Sequence, residues 1–140
     1  MESSIGSALE RLQRSAEALN SVCDEAAETV RQAESFLSAC RVGIRAWVQI
    51  GSDEDGNESF LEYMRIGKNF RIAITYIVDG ESGTRPWSDC SREEKLESFA
   101  KLPDLLLEIA ARVDQKIQQS KATVESVRKS IKAKDPYHDI

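Results

Sequence analysis

Ala33-Glu34-Ser35-Phe36-Leu37-Ser38-Ala39-Cys40-Arg41-Val42-Gly43-Ile44-Arg45-Ala46-Trp47-Val48-Gln49-Ile50 is the stretch in which the hydrophobic period of this chain changes. Upstream, Ile5, Leu9, Leu12, Ala16, Leu19, Cys23, Ala26, Val30, Ala33 and Leu37 follow an a/d heptad rhythm. After Gly6 neither proline nor glycine interrupts it, so the spacing predicts one long helix over residues 1–39. Downstream, Val42, Ile44, Ala46, Val48 and Ile50 alternate with Arg41, Gly43, Arg45, Trp47 and Gln49. That is the two-residue period of a half-buried strand.

Further along, Gly51 to Glu58 is polar and turn-forming and reads as an exposed loop. A second strand is expected over 59–66. Gly67-Lys68-Asn69 makes a tight connection, because Gly and Asn tolerate positive φ. Phe70, Ile72, Ile74, Tyr76 and Val78 then alternate as a third strand. Strands joined by short loops predict an antiparallel meander spanning 41–79. Residues 80–90, including Thr84, Arg85, Pro86 and Trp87, read as a loop. Ser91 and Glu94 form a capping box that opens a short helix. Pro103 suits the first turn of a last long helix ending near 134, with Leu106, Ala110, Val113, Ile117, Ser120, Val124, Val127 and Ile131 as its seam. Residues 135–140 read as a frayed tail. The fold class is α+β in a single domain: a long N-terminal helix, a three-stranded antiparallel meander, then a short and a long C-terminal helix.

Composition narrows the function classes. The chain has 140 residues, 41% hydrophobic and 31% charged, which suits one folded domain. A net charge of −5 argues against general nucleic-acid or anionic-membrane binding, since phosphate contacts need excess Lys and Arg. No apolar run approaches the ~20 residues of a membrane span. The N-terminus lacks a secretion-signal pattern, and Cys23, Cys40 and Cys90 read as reduced thiols, so a cytoplasmic protein is expected.

Candidate chemistry is sparse. The single histidine, His138, falls in the presumed tail, away from any partner for a general base. Asp53, Asp55 and Asn57 resemble the start of a calcium loop, but Glu58 stands where the loop needs glycine and Met64 where it needs a bidentate carboxylate. No metal, no cofactor and no catalytic residue is expected. The outward face of the sheet is more informative. Arg45, Trp47, Gln49, Arg71 and Thr75 are expected there, with Ala73. In one register of the second strand Tyr63 and Arg65 join them; in the other, Leu61 and Tyr63 point inward. Arg85 and Trp87 follow on the next loop. Guanidinium groups beside aromatic rings can hold a small anionic or nucleotide-like ligand, anchor a protein partner, or form an ordinary solvated face. Trp87 beside Pro86 also reads as a packed lid over the core edge.

Assembly is the sharpest expectation. At 1.5 Å per residue the first helix should run roughly 50 Å and the last about 45 Å. Strands of this length span only about 30 Å. The seams should therefore overhang the sheet and find cover in a second copy, through Leu9, Leu12, Leu19, Val30, Leu106, Val113, Ile117, Val124 and Val127. The first helix is acidic and the last basic, which favours pairing between unlike helices. A monomer with its own helices folded along one another is the alternative, and an adaptor holding another protein is a second.

Tyr63-Met64-Arg65-Ile66-Gly67-Lys68, Ala73-Ile74, Pro86-Trp87 and Lys101-Leu102-Pro103-Asp104-Leu105-Leu106 together resemble a pattern in small bacterial and phage proteins of unassigned activity. That resemblance covers about the middle half of the chain. It implies a bacterial or phage source and the same helix–meander–helix plan. In size and charge the chain is also similar to phage proteins that sequester nucleotide signals of host immunity, which implies an anti-defence, nucleotide-binding oligomer.

Overall fold

A computed structural model describes residues 2–134. Its elements in order are α1 (Glu2–Ala39), β1 (Ala46–Ser52), β2 (Glu58–Ile66), β3 (Asn69–Val78), β4 (Glu81–Pro86), a 3-10 turn (Trp87–Asp89), α2 (Arg92–Phe99) and α3 (Leu102–Lys134). The α+β plan with long helices at both ends is as the periodicity predicts. The expected tail, with His138, lies outside the described residues. No helix among the described residues is long and apolar enough to cross a membrane.

The change of period coincides with a chain reversal. At the end of α1, Val42 N–H donates to the Leu37 carbonyl and Arg41 N–H to the Ser38 carbonyl, both at 3.0 Å. This is a Schellman motif, with Arg41 in the left-handed region at φ 57°. The hydrophobic contact that accompanies such caps is present: Val42 packs against the cluster containing Leu37. Because Val42 closes the helix cap, it cannot join a ladder. The first strand therefore begins at Ala46 rather than near Val42, which corrects the expected boundary.

The sheet has four strands in the order β1-β2-β3-β4, all antiparallel, where three are expected from the sequence. Residues 80–90 are not simply a loop. Asp79 and Gly80 both have positive φ, at 53° and 80°, and form a two-residue type I′ turn whose twist matches the strands it joins. The chain therefore returns at once as β4. Its sequence, Glu-Ser-Gly-Thr-Arg-Pro, carries no apolar alternation because it is an exposed edge.

The pairing also settles the orientation of β2. Val48 opposes Leu61 and Leu61 opposes Ile74, while Ala46 opposes Tyr63 and Tyr63 opposes Ile72. Leu61 and Tyr63 thus point inward with Ile72 and Ile74, and all four are buried. Two stretches of helix cover them: Ala26, Val30 and Leu37 from α1, and Leu102, Leu105 and Ile109 from α3. Val30, expected at an oligomer seam, is therefore core. On α3 the buried residues are Leu102, Leu105 and Ile109, the last two one position away from the expected Leu106 and Ala110, and Leu106 lies at the margin. Val113 packs partly against the core.

Arg41 bears a Cβ where glycine is the favoured residue. Arg41→Gly is expected to raise stability by about 1 kcal/mol, because a non-glycine residue in this region costs roughly that much. Chemical denaturation checks it, and a destabilised variant would mean that the Arg41 side chain contributes more than its backbone strain costs.

Candidate functional site

The side of the sheet away from the helices carries Trp47, Glu62 and Ala73 in one cross-strand row and Gln49, Phe60, Thr75 and Thr84 in the next. Between them lies a depression of about 460 Å³ walled by Trp47, Phe60, Met64 and Ile77 and floored by Glu62 and Thr75. Glu62 is the unexpected member. A carboxylate on an uncovered sheet face should be solvated, yet its side chain is only 3% exposed. Two partners compensate for the lost water: Thr75 Oγ1 donates to Oε1 at 2.8 Å, and Arg45 Nε donates to Oε2. Thr75 commits its one proton to Glu62, so Thr84, 3.0 Å from Thr75, must be the donor in that contact.

Arg45 is itself 61% exposed, with its guanidinium carbon 5.2 Å from the Trp47 ring. Arg112 of α3 lies over the same ring at 4.2 Å and is held by Glu108 at 3.1 Å. One half-exposed indole thus has two guanidinium neighbours, each tied to a carboxylate. This cluster has no excess of positive charge.

The other expected ligand residues are dispersed. Arg45, Trp47, Gln49 and Thr75 do share the outer face. Tyr63 does not: its ring is in the core and its hydroxyl donates to the Val42 carbonyl at 2.6 Å. Burial pushes its phenol pKa up. Arg65 lies over Phe70 at 5.6 Å, at one end of the sheet. Arg71 is 3.6 Å from Glu34 of α1 and donates to Ser88 Oγ at 2.9 Å. Trp87 is buried beneath α2, its indole N–H donating to Ser98 Oγ at 2.9 Å. Arg85 opposes Ile74 and so belongs to the helix side. Candidates that share a parity in sequence are separated because the register turns Tyr63 inward and α1 captures Arg71.

On the helix side, a second hollow of about 780 Å³ follows the β3–β4 hairpin and includes Tyr76, Arg85 and Glu94. Tyr76 donates its hydroxyl to Glu94, and Glu94 also accepts the Ser91 amide at 2.9 Å in the capping box. The Tyr76 hydrogen bond, then the Ser91 bonds, hold the Glu94 carboxyl at about 2. Burial, then Glu94, raises the Tyr76 phenol. In the 53–57 loop, Asp53 accepts the Asn57 and Asp55 amides at 3.0 and 2.9 Å, and these bonds keep its pKa low. Its oxygens therefore organise the turn. Among the described residues no group of three or more His, Cys, Asp or Glu is placed to hold a metal ion.

The chain matches no protein-family model, no curated protein and no solved structure.

Two outcomes follow from these contacts. Removing Arg45 strands a buried carboxylate, so Arg45→Ala should cost about 2 kcal/mol, whereas the double change Arg45→Ala/Glu62→Leu should recover most of that loss. A purely additive pair in urea unfolding would show that the two residues are not coupled. Glu94 has a folded pKa below its unfolded value, so its contribution is complete above pH about 4.5 and is lost as pH falls towards about 2. Glu94→Gln should flatten the stability profile in that window, and identical profiles would contradict the assignment.

Proposed function

We propose that this protein is a non-catalytic assembly protein, an adaptor that binds through its helical arms, and that its first partner is another copy of itself. One observation carries this reading. The apolar seam of α1 continues without a break from the core residues Ala26 and Val30 out through Leu19, Leu12, Leu9 and Ile5, which are 43–65% exposed. The seam of α3 does the same beyond Val113, through Ile117, Val124, Val127 and Ile131, at 42–63%. An apolar groove of about 610 Å³ follows this part of α3. The two helices make no extensive contact with each other, so neither covers the other's stripe.

Residues 5–22 and 114–134 extend about 27 Å and about 30 Å past the core. Leaving that many large aliphatic side chains in water is costly, because each gains about 1.5–3 kcal/mol on burial. Charge favours pairing between unlike helices. Within residues 5–22 Glu10 and Glu17 are balanced by Arg11 and Arg14, and the acidic excess of α1 begins at Asp24, Glu25 and Glu28. On the α3 arm, by contrast, Lys116, Lys121, Arg128, Lys129, Lys132 and Lys134 outnumber Asp114 and Glu125. The basic α3 arm of one copy therefore complements the acidic middle of α1 of another better than it complements itself. A small-ligand reading has less support, since Arg65 and Arg85 lie on the helix side and Arg71, although it opposes Met64 of the outer face, is engaged by Glu34 and Ser88.

Light scattering at tens of micromolar should give a mass above that of one chain. Leu12→Glu/Leu19→Glu should lower that mass, and with it the melting temperature and its dependence on protein concentration, while leaving helical circular dichroism below the transition nearly unchanged, because both side chains lie outside the core of the single chain. A wild-type chain that stays monomeric would overturn the reading.

A further inference from the structure

The β4 edge offers a second, independent surface. In a two-residue hairpin the residues flanking the turn form a hydrogen-bonded pair, here Val78 and Glu81. The alternation then assigns Tyr76–Gly83 and Ile74–Arg85 as hydrogen-bonded pairs as well. Glu81, Gly83 and Arg85 therefore use their backbone groups within the sheet. Ser82 and Thr84 turn theirs outward, where no further strand meets them. Pro86, the next outward position, has no N–H to offer and ends the edge.

We infer that this edge pairs antiparallel with the same edge of a second copy, about a twofold axis at Gly83. The sequence around that axis is self-complementary. With Gly83 opposite its own counterpart, Ser82 faces the partner's Thr84 through their free N–H and C=O groups, giving about four backbone hydrogen bonds in all. Glu81 then stands opposite the partner's Arg85, twice, in the closer of the two cross-strand spacings. Neither Glu81 nor Arg85 has an ion pair in its own chain among the described residues. Gly83 brings no side chain to the axis, and nothing of its own chain lies within 4 Å of where a Cβ would stand. A register shifted by one residue would oppose Ser82 to Gly83 and misalign the outward-facing groups, so the parity of the hairpin allows this pairing and excludes its neighbours. The product is a continuous sheet of twice the width, with both outer-face depressions on one side.

The test uses the full-length chain carrying Leu12→Glu/Leu19→Glu, so that the arms do not contribute to the mass observed. Sedimentation equilibrium up to millimolar concentration should show a dimer. Glu81→Arg or Arg85→Glu alone should weaken it about tenfold, since each replaces two attractive pairs with two repulsive ones. The combined Glu81→Arg/Arg85→Glu chain should return to within about threefold of the parent. A monomer in the arm-disrupted parent, a dimer indifferent to both single reversals, or a double change that restores nothing would each overturn the pairing. Failure of the arm proposal would leave this dimer intact, and the reverse also holds.

Discussion

A sheet with one apolar face can shelter only as much helix as its strands are long, and that mismatch governs this molecule. The longest strand, β3, has 10 residues, about 33 Å, whereas α1 has 38, about 57 Å. Leu61, Tyr63, Ile72 and Ile74 fix one stretch of each helix in place. Beyond that stretch the same seam runs into solvent. The core and the exposed arms are thus one apolar stripe with two environments, and no change of sequence character marks the point where one becomes the other.

The outer face shows how a buried charge can be part of an uncovered surface. Glu62 lies between the inward-pointing Leu61 and Tyr63, so strand parity forces it outward. There the surrounding Trp47 and Met64 side chains and the Arg45 guanidinium exclude water from it. Its charge is balanced locally by Arg45, and that of Arg112 by Glu108, which leaves the Trp47 cluster neutral. A face built this way is suited to contact with a surface as much as to a solute. Its edges, where Ser82 and Thr84 present backbone groups, offer more directional contacts than its centre does.

Much of the candidate surface was legible from spacing alone. The heptad gave the α1 arm as far as Leu19, and the alternation placed Arg45, Trp47, Gln49 and Thr75 together. Tyr63 was legible only as a choice between two registers, because β2 is apolar on both parities: Phe60, Met64 and Ile66 on one, Leu61 and Tyr63 on the other. Arg112 could not have been found beside Trp47, since the two are brought together by α3 crossing the β1 edge. β4 escaped because an edge strand needs no apolar alternation, although Asp79-Gly80 between Val78 and Glu81 was a hairpin signal in its own right.

By itself the sequence determined the local periods: two long amphipathic helices, two alternating strands with a third between them, a capped short helix and the opposite net charge of the first and last helices. These depend on contacts between residues a few positions apart, where spacing is geometry. Tertiary structure decided which parity of β2 faces the core, that Arg71 pairs with Glu34, that Glu62 is buried, and how far each seam is covered. Those outcomes depend on which distant surface arrives opposite, and a one-dimensional period carries no information about its partner.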